Sequence, residues 1–204
     1  MILNIGVLAS TKATDLQAVI DAIQAKQLNS KISVVVSNKG DAYALERAKK
    51  HNIEAVFINS KDKERGDFDR EVSDVLEKYD VDLILAIGYM RILSGWFVNK
   101  WKNKIMNIHP SLLPAFAGGM DKDVHAEVLK AGVKETGCTL HFVTEEVDSG
   151  PIIMQKKVDV AENETIESLK AKVQKAEQEV IVKALKLYDE GKMKVEGSKV
   201  VISE

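Results

Sequence analysis

The sequence predicts an α/β fold in which a mostly parallel central sheet carries helices on both faces and ends in an antiparallel C-terminal part. Short apolar runs rich in β-branched residues alternate with segments that have the 3.6-residue period of amphipathic helices. The runs are apolar throughout, which is typical of strands that are covered from both sides. This alternation indicates a Rossmann-like unit.

The first half of the chain contains four such strands and three helices. The strands are predicted at residues 2–8, 32–36, 55–58 and 83–87, and the helices at about 16–25, 42–51 and 68–79. Because a helix separates each pair of strands, consecutive strands are expected to run parallel. Ligands of such sheets lie at the carboxyl ends of the strands, so we expect this half, about residues 1–100, to bind a nucleotide.

The second half, about residues 101–204, is expected to bind the second ligand and to carry the catalytic residues. A strand at 105–108 continues the sheet, and strands at 137–143 and 152–158 run antiparallel because their connection is too short for a crossover helix. Helices at about 124–131 and 166–190 and a terminal hairpin at 194–202 complete the prediction. No linker interrupts the sequence, so residues 1–204 are expected to form one domain.

Composition and charge exclude several kinds of partner. The 204 residues include 29 basic and 31 acidic side chains, a net charge of −2, without the basic field that nucleic-acid binding requires. The single cysteine, Cys138, lies in a predicted strand and is expected to be an inert core thiol. The N-terminus lacks the features of a signal peptide, and no apolar run approaches the roughly 20 residues of a membrane span. We therefore expect a cytoplasmic monomer or homodimer that acts on small molecules, away from membranes and nucleic acid.

Three polar residues of the second half, Asn107, His109 and Asp148, suit a reaction at a carbonyl group. Asn107 and His109 are two residues apart at the end of a strand, so their side chains leave the same face. Pro110 favours extended backbone at His109 and so directs the imidazole. An amide and an imidazolium can stabilise an oxyanion, while a carboxylate can support the imidazolium and hold a water. The same residue types also fit a structural histidine, a capping asparagine and an ordinary turn, so both interpretations remain open at this point.

Several motifs in a fixed order favour the catalytic interpretation. They are Met-Arg-Ile-Leu-Ser at 90–94, Asn-Ile-His-Pro-Ser-Leu-Leu-Pro at 107–114, Thr-Leu-His-Phe-Val at 139–143 and Glu-Val-Asp-Ser-Gly at 146–150. With these motifs the chain resembles the 10-formyltetrahydrofolate-dependent formyltransferases from about residue 2 to about residue 188. The resemblance implies the Rossmann-like formyltransferase fold and transfer of a formyl group to the amine of glycinamide ribonucleotide in de novo purine biosynthesis. It also implies that Asn107, His109 and Asp148 are the catalytic set.

For the formyl donor, 10-formyltetrahydrofolate, the resemblance implies two loops whose backbone surrounds the pterin ring. The implied residues are Met90, Arg91, Ile92 and Leu93 in the first loop, Thr144, Glu145, Glu146, Val147 and Asp148 in the second, and Asn107 between the loops. Arg65 matches a family arginine that meets the carboxylates of the cofactor tail, where a guanidinium can form paired hydrogen bonds. Without the resemblance, Met90, Ile92 and Leu93 fit a hydrophobic core and Arg65 fits a solvated charge. No metal is expected, because the His and carboxylate residues lack the spacing of metal ligands.

The loop expected to bind the acceptor departs from the family pattern. Family members that use glycinamide ribonucleotide usually carry Gly-x-Gly-Ser-Asn after the first strand, and its backbone amides hold the phosphate at a helix N-terminus. The corresponding residues here are Thr11, Lys12, Ala13, Thr14 and Asp15, preceded by Ser10. Without the glycines a positive φ angle is strained, and the carboxylate of Asp15 repels a phosphate.

Two interpretations of this loop follow. In the first, the hydroxyls and the lysine of residues 10–14 bind the phosphate in a reshaped loop, while Asp15 turns outward as a helix cap. In the second, the acceptor is a different amine. We favour the first because Glu177 matches the family glutamate that contacts the nucleotide. The loop at 116–125 is also longer than in bacterial and animal enzymes of the family.

Three other functions remain as rivals. A transfer-RNA formyltransferase usually adds a C-terminal domain and a basic surface, and a formyltetrahydrofolate hydrolase usually adds a regulatory domain before the first strand, which here is predicted to begin at residue 2. A non-enzymatic nucleotide-binding module would not need the convergence of an Asn, a His and an Asp. The other histidines, His51, His125 and His141, are expected to be non-catalytic.

Overall fold

Seven strands form the central sheet of the computed structural model, which describes residues 2–118 and 123–203. The strands are β1 (Leu3–Leu8), β2 (Ser30–Ser37), β3 (Glu54–Phe57), β4 (Leu83–Ala86), β5 (Ile105–His109), β6 (Glu135–Phe142) and β7 (Ile152–Asp159). Their order is β3-β2-β1-β4-β5-β6-β7, with β1 to β5 parallel and both β6 and β7 antiparallel to their neighbours. A separate hairpin pairs β8 (Met193–Glu196) with β9 (Lys199–Ile202). The predicted fold class and the change to antiparallel pairing are confirmed.

Helices cover both faces of this sheet. They are α1 (Thr14–Gln24), α2 (Tyr43–Lys50), α3 (Arg65–Lys78), α4 (Gly95–Lys100), α5 (Val124–Ala131) and α6 (Ile166–Asp189). One buried hydrophobic cluster joins the sheet to α1, α2, α5 and α6, and a second joins its other face to α3 and α4. Burial of apolar surface on both faces explains why the strands read as continuous apolar runs.

The short helix α4 is a feature that the sequence analysis did not predict. At six residues it is too short to display helical periodicity. Its start does carry a local signal, since the Ser94 hydroxyl accepts a hydrogen bond from the backbone N–H of Phe97 at 3.3 Å. Such an N-cap, three residues before the bonded amide, is the pattern that could have indicated it.

The loops after β1 and β4 lie side by side, because the strand order reverses between these two strands. The backbone N–H of Ser10 donates to the carbonyl of Gly88 at 3.0 Å, and the Ser10 hydroxyl accepts from the N–H of Met90 at 2.8 Å. Gly88 has φ 58°, and a Cβ there would lie 2.3 Å from the Thr11 hydroxyl oxygen. Only glycine fits this close approach, which forms the crevice where ligands of open α/β sheets bind.

Candidate active site

A cavity of about 560 Å³ opens at the carboxyl edge of β4 and β5. Its walls come from three segments: residues 86–93 after β4, residues 107–110 at the end of β5, and residues 141–148 at the end of β6 and beyond. Residues 123–125 and Lys170 line it from the side of α5 and α6. Residues 119–122 of the long loop expected at 116–125 lie outside the described residues.

Asn107 and His109 lie among the last three residues of β5, and both line the cavity. In the antiparallel pairing with β6, Asn107 lies opposite His141 and His109 lies opposite Thr139. Residues that are directly opposite in a sheet project from the same face, so His141 is brought beside Asn107. The predicted common face of Asn107 and His109 thus also contains a second imidazole.

Asp148 reaches this face from the loop between β6 and β7. Its backbone has φ 54°, a left-handed conformation that aspartate tolerates better than most residues. Oδ2 accepts a hydrogen bond from the backbone N–H of Gly118 at 2.9 Å and lies 3.4 Å from His109 Nδ1, while Oδ1 lies 3.6 Å from His141 Nε2. The structure therefore brings Asn107, His109 and Asp148 together around one cleft.

The tight turn at Gly150 returns the chain behind Asp148. A Cβ at this position would lie 1.8 Å from the carbonyl oxygen of Phe142, so only glycine allows the loop to fold back onto β6. The Ser149 and Thr144 hydroxyls both donate to the carbonyl of Glu146 inside the loop, at 2.8 and 3.0 Å. These local bonds fix the backbone of the loop and thereby the position of Asp148.

The ionised form of Asp148 is favoured by its surroundings. Burial of the carboxyl opposes ionisation, but the adjacent His141 ring, the hydrogen bond from the Gly118 N–H and the nearby His109 ring together hold the pKa of Asp148 below its ordinary value. Only 9% of its side chain is exposed, and the His109 side chain is equally covered. A carboxylate in such a place acts strongly on any charge that develops beside it.

The hydrogen-bond partners of His109 define where its protons lie. Nε2 is 3.0 Å from the carbonyl oxygen of Phe116, which can only accept, so Nε2 carries a hydrogen. Nδ1 then faces the carboxylate of Asp148. A second proton on Nδ1 would be held between the ring and Asp148, which is the arrangement of an imidazolium that can stabilise an oxyanion or deliver a proton.

His141 is the site residue that the sequence analysis missed. The residue is 2% exposed, and Nε2 lies 3.1 Å from Asn107 Nδ2 as well as 3.6 Å from Asp148 Oδ1. Antiparallel pairing was predicted only between β6 and β7. The antiparallel pairing of β5 with β6 and its register, which place His141 opposite Asn107, were not predicted. Of the other histidines, His125 lines the cavity wall, where burial lowers its pKa, and His51 lies at the end of α2, away from the cavity.

The predicted folate-binding residues form the apolar wall of the cavity. Met90 and Ile92 are 39% and 43% exposed and line the cavity, so they are not the core residues that the alternative interpretation required. Leu93 is half-buried and packs against the second hydrophobic cluster, so the core interpretation holds for it in part, although it also lines the cavity. Val147 is 42% exposed and lines the cavity from the second loop. The remaining predicted residues of both loops, which are Arg91, Leu93, Thr144, Glu145, Glu146 and Asp148, also line it. Large apolar side chains that face a cavity instead of the core are typical of a ligand pocket.

Two arginines were assigned to this side, and they lie in different places. The Arg91 guanidinium stacks over the ring of Phe68, 4.4 Å from its centroid, at the cavity wall. Arg65 is exposed at the first turn of α3 and does not line the cavity. Any contact of Arg65 with a ligand thus requires a group that extends beyond the cavity.

The loop expected to bind the acceptor adopts the strained conformation that the missing glycines would have relieved. Ala13 has φ 44° and ψ 60° and is the N-cap of α1, although it has no side chain able to cap. Thr11 and Lys12 are exposed, and Thr14 is half-buried as the first residue of α1. The Ser10 hydroxyl is already engaged, since it donates to Asn38 Oδ1 at 2.6 Å and accepts from Met90 N–H.

The expectation that Asp15 turns outward as a helix cap is wrong. Asp15 is 6% exposed and points toward α6, because it lies on the face of α1 that packs against this helix. Glu177 on α6 is equally buried. Burial raises the pKa of both carboxyls, and Asp15 raises that of Glu177 further, which favours a protonated member of the pair. Neither residue lines the cavity that contains Asn107.

Two further observations bear on the predicted ligands. Among residues 2–118 and 123–203, no group of three or more His, Cys, Asp or Glu side chains is arranged to hold a metal ion. Within the same residues, no helix combines the length and the apolar character needed to cross a membrane.

Comparison with protein families matches residues 3–185 to the formyl transferase family. Among curated proteins, the chain is 43% identical over 94% of its length to the trifunctional purine biosynthetic protein adenosine-3 of Bos taurus, of which it spans only 19%. It is 39% identical over 94% of its length to the phosphoribosylglycinamide formyltransferase of Haemophilus influenzae and spans 90% of that protein.

Solved structures give the same picture. Glycinamide ribonucleotide transformylase 1 from Symbiobacterium toebii matches with a TM-score of 0.95 and 39% identity, over 100% of this chain and 95% of that one. A formyltetrahydrofolate deformylase from Pseudomonas syringae matches with a TM-score of 0.91 and 27% identity, over 100% of this chain and 67% of that one. The likeness thus extends to a transformylase and to a deformylase.

Proposed function

This chain belongs to the formyl transferase family, and we propose that it transfers the formyl group of 10-formyltetrahydrofolate to the amine of glycinamide ribonucleotide in purine biosynthesis. The observation that carries the proposal is the convergence of Asn107, His109 and Asp148 at one end of a cavity with an apolar wall. Relatives named for this activity match nearly the whole chain.

The chain's residues suit attack of an amine on a formyl carbon. Bound 10-formyltetrahydrofolate supplies an electrophilic formyl carbon and a nitrogen leaving group. Asn107 Nδ2–H donates a hydrogen bond to the formyl oxygen as it gains negative charge. Protonated His109 donates a second one through Nε2–H, which leaves the carbonyl of Phe116 for the substrate while Nδ1–H stays on Asp148. Removal of one such donor costs roughly 3 kcal/mol of barrier in well-studied enzymes.

Proton balance assigns the remaining roles. The attacking amine forms the new C–N bond and must lose a proton, while the folate nitrogen must gain one as its bond to the formyl carbon breaks. His109 delivers a proton to the leaving nitrogen. Asp148, 3.4 Å from His109 Nδ1, sustains the imidazolium and positions a water that relays the proton of the amine back to His109, so the ring ends the reaction protonated.

The donor site combines residues from both halves of the chain. The apolar wall of Met90, Ile92 and Val147 covers the flat faces of the pterin, while backbone groups of residues 90–93 and 144–148 recognise its polar edge. Arg65 is exposed beyond the cavity, where it meets the carboxylates of an extended cofactor tail.

The acceptor site lies next to the cavity, along the loop after β1. Thr11 contacts the Gly88 turn that lines the cavity, so a nucleotide held by this loop has its amine close to Asn107 and His109. Lys12, Thr14 and the N-terminus of α1 supply the positive field and hydroxyl for the phosphate. Ser10 fixes the loop, while Asp15 and Glu177 are buried between α1 and α6 and support the loop from behind without lining the cavity.

A second candidate function is hydrolysis of 10-formyltetrahydrofolate. The match to a deformylase over the full length of this chain favours it, because the same catalytic face can direct a water at the formyl carbon. The two functions differ in one requirement: hydrolysis proceeds without any amine and releases formate.

Purified protein and 10-formyltetrahydrofolate, with and without glycinamide ribonucleotide, test the proposal. Tetrahydrofolate should form only when the nucleotide is present. The dephosphorylated glycinamide riboside serves as the matched acceptor and should need a much higher concentration. Tetrahydrofolate formation at the same rate without any acceptor would show that the protein is a hydrolase and not a transferase. Turnover with an unrelated amine alone would show that the acceptor is different.

A further inference from the structure

His141 occupies the centre of the site, yet the proposed mechanism gives it no part. It is 2% exposed, lies opposite Asn107 in the β5–β6 pairing, and has a polar partner on each ring nitrogen. A buried imidazole with both nitrogens in hydrogen-bond range has a defined orientation.

The first partner fixes the position of the ring hydrogen. Nδ1 of His141 is 3.0 Å from the carbonyl oxygen of Phe142. A carbonyl oxygen can only accept, so Nδ1 must be the nitrogen that carries hydrogen. In the neutral ring this leaves a lone pair on Nε2.

The second partner uses that lone pair. Nε2 is 3.1 Å from Asn107 Nδ2, which can only donate, and 3.6 Å from Asp148 Oδ1, which can only accept. The shorter contact lies within hydrogen-bond distance and the longer one lies outside it. The neutral ring therefore accepts from Asn107, whereas a doubly protonated ring would turn its Nε2–H toward Asp148.

This contact decides which end of the Asn107 carboxamide faces the substrate. The oxygen and the nitrogen of a carboxamide have nearly the same shape but opposite hydrogen-bonding character. If the group turned over, its oxygen would face the lone pair of His141 Nε2, which is repulsive. With Nδ2 held against His141 by one hydrogen, the second hydrogen of Nδ2 is available to the formyl oxygen.

We infer that His141 is a positioning residue: by accepting a hydrogen bond from Asn107 Nδ2, it keeps an N–H donor of Asn107 aimed at the reacting oxygen. The inference rests on the proposed function for the identity of that oxygen. The competing role is charge support, in which a protonated His141 acts through Asp148 instead.

Two double-mutant cycles separate these roles. In the wild-type background, His141→Ala should lower kcat by roughly 10-fold or more, with KM values within about twofold. The reason is that an Asn107 amide that is free to turn over stabilises the oxyanion less well, and the oxyanion develops only in the transition state. In the Asn107→Ala background the same substitution should cost less than about twofold, since the group it positions is gone. In the Asp148→Asn background, His141→Ala should lower kcat by the same factor as it does in the wild type. Equal costs in all backgrounds would indicate a structural role, and loss of the cost only with Asp148→Asn would indicate charge support; either result overturns the inference.

A conservative variant adds a second test of the same idea. His141→Gln places an amide near the position of Nε2, so it can accept from Asn107 but cannot take up a positive charge. It should recover most of the kcat lost in His141→Ala. A glutamine variant as slow as the alanine variant would contradict positioning through an acceptor.

A readout independent of activity keeps the inference separate from the proposed function. In ¹⁵N-labelled wild-type protein at mildly alkaline pH, the ring nitrogens of His141 should give the pattern of hydrogen on Nδ1 and a bare Nε2. Hydrogen on Nε2 would overturn the inference even in an active enzyme. Protein that shows the expected pattern but forms no formylated nucleotide would refute the function and leave the hydrogen bond standing.

Discussion

Replacing Asp148 with Asn removes one negative charge from the site with almost no change of shape. Asparagine tolerates the left-handed backbone that Asp148 adopts at φ 54°, so the loop should keep its course. The new side-chain oxygen can still accept from the N–H of Gly118. The substitution therefore isolates the charge from the structural bond.

The size of the effect follows from the distance to His109. Opposite charges 3.4 Å apart attract by roughly 5 kcal/mol at an effective dielectric constant of about 20. Partial screening by bound ligand and water reduces this, so we expect a loss of about 2 to 4 kcal/mol of transition-state stabilisation. That corresponds to a kcat lower by roughly 30- to 1,000-fold.

Steady-state kinetics with both substrates measure this effect. The KM for 10-formyltetrahydrofolate should change by less than about threefold, because the charge matters most once the imidazolium and oxyanion develop. Asp159→Asn is the matched control. Asp159 is exposed and ends β7, seven positions and about 23 Å beyond Ile152, the strand residue nearest the site, so this substitution should leave kcat unchanged. A near-normal kcat for Asp148→Asn would show that the charge of Asp148 has no catalytic role and that the residue only shapes the turn.

Three further predictions concern the acceptor side. Lys12→Ala should raise the KM for glycinamide ribonucleotide by roughly 3- to 10-fold and make it less sensitive to salt while kcat hardly moves, because an exposed charge contact with phosphate is screened; an unchanged salt dependence would exclude the contact. Ala13→Gly should stabilise the fold by about 0.5 to 1 kcal/mol in chemical denaturation, because it relieves a left-handed alanine, whereas Ala18→Gly inside α1 should cost about 1 kcal/mol; destabilisation by both would disprove the strain. Burial raises the pKa of Glu177, so its contribution to stability is fully present below pH 4.5 and is lost as the pH rises toward 8; Glu177→Gln should therefore raise Tm by several degrees at pH 8 and by little at pH 4.5, and equal gains at both pH values would contradict this.

The sequence predicted the fold well because the signals for it are local. Runs of apolar residues and the intervening helical period require no knowledge of pairing, and the short connection between β6 and β7 leaves only an antiparallel arrangement. Helix α4 was missed because six residues carry too little periodicity, and only its Ser94 cap marks it.

The site was predicted less completely, because side-chain contacts depend on register and packing. Asn107 and His109 share a face by strand geometry alone, but the contact of Asn107 with His141 follows from the pairing of β5 with β6. Asp15 fits a helix cap by residue type, whereas the packing of α1 against α6 turns it inward. Residue type suggests the chemistry, and tertiary packing selects which groups meet.

The fate of the formyl carbon tests the central claim most directly. Purified protein is mixed with 10-formyltetrahydrofolate labelled with ¹³C in the formyl group and an equal amount of glycinamide ribonucleotide, and the products are followed by ¹³C NMR. We expect the label to move into a formamide of the nucleotide, at a rate that falls sharply in Asp148→Asn. Label recovered as formate at the same rate with or without the nucleotide would contradict it.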